Sequence, residues 1–236
     1  MSEATDITTT TANTPARGQR RDESLRGPLT LPQWVIELIV RPILHTFFKV
    51  FFRLRLTGVE NIPPRAAGGL VIAANHQTYF DPFWISAPIK RPIRYLAWNE
   101  AFGLPVVGTT MGLLGAWPLQ LEKSDPTAIR RALAWLRGGG AVMIFPEGGR
   151  ALPDGATSRF KLGAARIALE ANVPVLPVTI RGGHRAWPRG WMFPRPARVE
   201  IIYHPPRKLS PQPGEDIRQC ARRETESLAK LIESAL

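Results

Sequence analysis

From Leu54 to Tyr203 the chain alternates short, unbroken apolar runs with stretches of helical periodicity, and this narrows the architectures open to it. The runs fall at 54–58, 70–74, 93–97, 141–145, 175–180 and 199–203. A strand with one wet face alternates apolar and polar residues, whereas one covered on both faces reads as a continuous apolar run. Helical patterns lie at 82–88, 104–114, 126–137 and 161–171, and an amphipathic helix over 216–236 ends the chain. Pro126 marks a first helical turn after Ser124 and Asp125, and the Gly138-Gly139-Gly140 run a stop. The expected fold is α/β: a single layered domain with a mostly parallel-type mixed sheet flanked by helices.

Upstream of that domain the composition changes. Residues 1–29 are rich in Thr, Ser, Arg and Gly. They lack a basic segment followed by an apolar run, so they read as a disordered tail and not as a secretory signal. Residues 30–53 are strongly apolar, yet Glu37, Arg41, His45, Lys49 and Arg53 recur at every fourth position. On a helix this makes one polar stripe, with Trp34, Ile39, Ile43, Phe47, Phe48, Phe51 and Phe52 around the rest. Full charges inside a membrane span are expensive. An amphipathic helix lying in the membrane interface, bent at Pro42, accounts for both features; a core helix and a true span are the alternatives. Residues 54–236 form the remaining unit.

Lys and Arg number 31 against 19 Asp and Glu, a net charge of +12, which calls for an anionic partner. An anionic membrane surface and nucleic acid both qualify. The single cysteine, Cys220, excludes an internal disulfide and fits a reducing compartment.

Two short segments carry chemistry. Asn75-His76-Gln77-Thr78-Tyr79-Phe80-Asp81-Pro82 follows one apolar run and precedes a helix. Strand ends of this kind are where α/β sheets place their sites. Asp81, beginning or capping that helix, is within reach of His76 and would hold its imidazole in one tautomer, so that the ring takes a proton from a hydroxyl. Phe145-Pro146-Glu147-Gly148-Gly149-Arg150 follows a second run. Its glycines let backbone approach a ligand, and Arg150 offers a planar charged fork suited to phosphate.

Together these segments resemble the glycerolipid (lysophospholipid) acyltransferase family, the group that includes 1-acylglycerol-3-phosphate acyltransferases. Its first block, N-H-x-x-x-x-D, is met by Asn75, His76 and Asp81. Its third, F-P-E-G-[ST]-R, is met by Phe145, Pro146, Glu147, Gly148 and Arg150. Its fourth is met by Val173-Pro174-Val175-Leu176-Pro177-Val178. The second block departs: Leu121 stands where the family places an arginine for the acceptor phosphate, and Gly149 replaces a Ser or Thr. Lys123 is a candidate substitute cation.

The resemblance implies an O-acyltransferase that moves a fatty acyl group from acyl-CoA or acyl-carrier protein to a lysophospholipid hydroxyl. The implied acceptor is 1-acylglycerol-3-phosphate; the departures leave another lysophospholipid, a glycolipid or an acylated amino-acid lipid open. It assigns His76 and Asp81 to catalysis, and Asn75, Glu147, Gly148, Gly149 and Arg150 to substrate. No cofactor or metal is implied, since the four histidines (45, 76, 184 and 204) are dispersed. The expected location is the cytoplasmic face of the cell membrane, with no nucleic acid partner. A segment at 181–195 mixes arginines with Trp187, Trp191 and Phe193. It suits a membrane interface or single-stranded nucleic acid, or is a basic loop whose indoles pack on the core. The competing class is a non-catalytic basic surface-binding protein, which leaves both motif segments unexplained.

Overall fold

All six apolar runs become strands in the computed structural model, which describes residues 32–35, 38–39, 41–98, 116–119 and 126–236. The expected tail at 1–29 and helix at 104–114 lie outside the described residues, as do Glu37, Leu121 and Lys123. The strands are β1 (Arg55–Thr57), β2 (Leu70–Ala74), β3 (Ile93–Trp98), β4 (Ala116–Leu119), β5 (Ala141–Ile144), β6 (Val175–Arg181) and β7 (Glu200–Tyr203). They form one sheet in the order β1-β7-β6-β2-β5-β3-β4. Every pairing is parallel except β6 with β7.

Among the described residues the α-helices of four residues or more are α1 (Arg41–Phe51), α2 (Asp81–Ser86), α3 (Pro126–Arg137), α4 (Gly163–Ala171), α5 (Gly183–Ala186) and α6 (Ile217–Glu233). They cover the sheet on both faces. Successive side chains of a strand point to opposite sides, and β2 shows the result. Leu70, Ile72 and Ala74 join one core with Phe48 of α1, Phe52 just after it, and Trp84 and Ile85 of α2. Val71 and Ala73 join the other, with Leu136 of α3, Ala165 and Ala168 of α4, and Ala221 and Leu228 of α6. Two cores explain why β2 and β5 are buried along their whole length and why their sequences do not alternate.

Local chemistry sets several boundaries. Asp216 caps α6 in a reciprocal capping box with Gln219. Asn172, in the left-handed conformation, ends α4. That helix starts two residues later than its periodicity suggests, because the Lys161 amide donates to the Pro146 carbonyl at 2.8 Å. Within the 30–53 stretch the described residues hold a short helical segment at Gln33–Val35 and then α1, with Pro42 in its first turn. Phe48 and Phe52 enter the core, while Ile43, Phe47 and Val50 stay exposed. Among the described residues no helix is long and apolar enough to cross a membrane.

Candidate functional site

β2 and β5 are parallel neighbours, so the segments that follow them leave the sheet at the same edge. β6 flanks β2 on the other side. This registers three loops that are far apart in sequence, and side chains then lock them together. Asn75 is fully buried. Its amide group donates to the Ile180 carbonyl at 2.9 Å and accepts from the Ile180 amide at 2.7 Å. Gln77 accepts from the His184 amide at 3.2 Å. Glu147 accepts from the His76 amide at 2.7 Å through one oxygen and from the Ser158 amide at 2.8 Å through the other.

Inside this frame sits His76. Its Nδ1 is 2.8 Å from Asp81 Oδ2. Asp81 is the first residue of α2 and has no solvent exposure. Its carboxylate also accepts from the Gln77 amide, from the Thr78 amide at 2.8 Å, and from the Thr78 hydroxyl at 2.7 Å. A carboxylate with so many donors cannot swing, so the imidazole it holds has one orientation. Phe145 fixes the ring plane by stacking, with centroids 4.1 Å apart and planes 18° apart. The His76 side chain keeps 19% of its surface exposed, and Nδ1 is the ring nitrogen taken up by a partner. A histidine held at Nδ1, with its ring partly exposed, is arranged to exchange a proton at Nε2 with a group that docks at this edge of the sheet.

The turn after β5 supplies charge and backbone. Gly148 has φ of 72°, in the left-handed region, and a β-carbon there would lie 2.7 Å from Lys161 Nζ. Gly149 is exposed, and a side chain in its place would meet open space. Its substitution for Ser or Thr therefore removes a hydroxyl without disturbing packing. The Arg150 guanidinium lies over the Tyr79 ring at 4.0 Å and has no carboxylate partner among the described residues.

The structure thus gathers His76, Asp81, Gly148, Gly149 and Arg150 at one edge of the sheet. It commits Asn75 and Glu147, expected at the substrate, to backbone groups that hold the loops. The motif reading missed Thr78 as a second donor to Asp81, Tyr79 beneath Arg150, and Lys161 beside Gly148. Thr78 stands three residues before Asp81, a spacing that signals such a local hydrogen bond. Nothing local points from Lys161 to Gly148.

Burial pushes the Glu147 carboxyl above its usual range, and the Ser158 and His76 amides pull partly back. The native chain therefore holds this proton more tightly than the unfolded chain does. Its contribution to stability should decline as pH rises from the ordinary value of 4.5 to the raised one, and stay level above it. Thermal melts over a pH series check this: across that window the stability difference should move in favour of Glu147→Gln.

A family model described as "Acyltransferase" matches residues 53–181. A 1-acyl-sn-glycerol-3-phosphate acyltransferase of Chlamydomonas reinhardtii is 29% identical over 216 residues, which is 81% of this chain and 64% of that protein. One of Pseudomonas aeruginosa is 30% identical over 158 residues, 65% of this chain and 58% of that protein. The chain thus spans less than two thirds of the length of these relatives. Among solved structures, the 1-acyl-sn-glycerophosphate (LPA) acyltransferase PlsC of Thermotoga maritima superposes with a TM-score of 0.64 at 25% identity. The match covers 92% of this chain and 87% of that one.

Proposed function

The chain belongs to the acyltransferase family, and from that premise we propose that it acylates the free hydroxyl of a lysophospholipid, foremost 1-acylglycerol-3-phosphate, in phospholipid synthesis. The observation that carries the reading is the His76–Asp81 pair, 2.8 Å apart, at the edge that also presents Arg150 without an acidic partner among the described residues. Asp81 keeps the proton on Nδ1 and leaves Nε2 as base. Nε2 takes the proton of the acceptor hydroxyl, whose oxygen forms a bond to the acyl carbon of an acyl-CoA or acyl-carrier-protein thioester. The tetrahedral intermediate collapses with cleavage of the carbon–sulfur bond, and the imidazolium returns the proton to the departing thiolate.

An activated thioester makes an enzyme nucleophile unnecessary. The oxyanion requires a donor. Gly148's amide is committed to the Phe145 carbonyl at 3.0 Å, which leaves the other amides of this turn, that of exposed Gly149 among them, as candidate donors. Asn75 and Glu147 act as positioning residues, and Arg150 receives the anionic head group. The enzyme works at the cytoplasmic face of a membrane, where α1 lays Ile43, Phe47 and Val50 into the interface.

The test is an acyl-transfer assay with labelled acyl-CoA against lysophosphatidic acid, lysophosphatidylcholine and lysophosphatidylglycerol. Lysophosphatidic acid should be the best acceptor. Arg150→Ala should raise its KM about 10- to 100-fold, as loss of a charge-assisted contact of roughly 1.5–3 kcal/mol requires, with a smaller effect on kcat. Preference for an acceptor without a phosphomonoester would assign the Leu121 and Gly149 departures to a change of specificity. An Arg150→Ala variant with unchanged KM would remove that residue from the head-group site.

A further inference from the structure

The basic aromatic segment at 181–195 takes no part in the chemistry above, and the structure divides it. Trp187 packs inward, its ring 4.9 Å from Phe80 and 5.4 Å from Tyr79. Trp191, Met192 and Phe193 face outward and are 56%, 80% and 70% exposed. Their loop is closed at its base. The Arg195 amide donates to the Ala186 carbonyl at 2.8 Å and its Nε to the Arg185 carbonyl at 2.8 Å. The Trp187 indole donates to the Trp191 carbonyl at 2.9 Å. Three large apolar side chains in succession are therefore held out into water by an ordered loop, a feature that marks an interaction site.

The charges say what that site meets. Arg185, Arg189 and Arg195 are exposed in and beside the loop, and Arg195 lies over Trp191 at 4.8 Å. Apolar groups outermost with guanidinium groups behind them is the order of a bilayer with anionic lipids, acyl chains below and phosphates above. A surface for single-stranded nucleic acid leads with stacking rings and cations; here the most exposed side chain is Met192, which offers a base or a phosphate little. The loop is also continuous with α1. Phe80 lies 5.6 Å from Phe48 and 5.5 Å from Phe52, and Phe48 lies 5.7 Å from exposed Phe47. One aromatic chain thus joins the outward side of α1, the turn before Asp81, and Trp187.

We propose that the loop 187–195 is a second membrane-insertion element. Trp191, Met192 and Phe193 enter the boundary between head groups and acyl chains of an anionic bilayer. The surrounding arginines meet lipid phosphates, and the aromatic chain from Phe47 to Trp187 holds the His76–Asp81 turn at head-group depth. This rests on reading the site as one that serves a lipid acceptor.

The single cysteine, Cys220, is fully buried, which permits a site-specific probe. Met192→Cys on a Cys220→Ser background, labelled with an environment-sensitive fluorophore, is mixed with vesicles of phosphatidylcholine and phosphatidylglycerol bearing brominated chains. The label should shift to the blue and be quenched. Replacing Trp191, Met192 and Phe193 together by Ser should weaken vesicle binding about tenfold or more. Arg189→Gln should weaken it about fivefold on anionic vesicles and leave neutral ones unaffected. An unquenched label on vesicle-bound protein, or a triple variant that binds as tightly as the native chain, overturns the proposal. A label that responds to single-stranded RNA and not to vesicles overturns it in favour of nucleic acid. The triple variant should keep its rate on monomeric short-chain lysophosphatidic acid while losing it on a vesicle-borne acceptor. A native chain with no transferase activity but a quenched label would sink the catalytic reading and leave this one standing.

Discussion

His76→Ala is expected to reduce acyl transfer about a thousandfold while leaving melting behaviour and vesicle binding close to those of the native chain. General-base catalysis contributes roughly a hundredfold to ten-thousandfold, and a thousandfold corresponds to about 4 kcal/mol of barrier. The small structural cost follows from how the residue is held. It is the His76 amide, not the ring, that donates to Glu147, and the His76 carbonyl that accepts from the Ala151 amide. Both bonds survive truncation of the side chain. The loss is the stacking of the ring on Phe145 and one hydrogen bond to Asp81. The comparison requires single-turnover rates and a thermal melt on the same preparation. A variant that melts normally and retains the native rate would eliminate His76 as the base.

Asp81→Asn is the second large effect, and it separates charge from geometry. Oδ2 accepts from His76 Nδ1 and from the Gln77 and Thr78 amides, while Oδ1 accepts only from the Thr78 hydroxyl. An asparagine can place its oxygen at the first position and its NH2 at the second, because a hydroxyl can turn to accept where an amide cannot. The loop should therefore keep its shape. What disappears is the negative charge that stabilises the imidazolium formed as the hydroxyl loses its proton. We expect kcat to fall about 10- to 100-fold, the equivalent of a charge-assisted hydrogen bond of roughly 1.5–3 kcal/mol, with KM little changed. Asp81→Ala should differ in kind. It leaves buried amides without acceptors at roughly 1–3 kcal/mol each, so it should lower the melting temperature as well as the rate. Equal rates for the native chain and Asp81→Asn would show that the carboxylate only shapes the loop.

How much of this was legible in the sequence depends on distance along the chain. The pairing of His76 with Asp81 spans five residues, and a helix start between them makes it readable as a motif. The layered architecture was readable because burial of both faces imprints continuous apolar runs on strands such as Val71-Ile72-Ala73-Ala74. Strand β4 was not. It is four residues long, lies at the sheet edge and contains Pro118, a residue that argues against a strand except at an edge where a missing donor is tolerated.

The roles of Asn75 and Glu147 were beyond the sequence for a different reason. In a motif, a buried amide and a buried carboxylate look the same whether they face a ligand or a backbone. Glu147 meets the His76 amide across 71 residues and Asn75 meets Ile180 across 105. Those partners exist only because β5 and β6 flank β2 on opposite sides in parallel register. The same holds for the segment at 181–195, whose composition suited both a core and a surface. Sequence alone determined which chemical groups this protein owns and the order of its layers, since both follow from local patterns. Tertiary structure alone decided which of those groups stay open at the sheet edge beside His76, which brace the loops there, and which indoles point outward. Those are properties of strand register and loop closure, set by contacts between residues far apart in the chain.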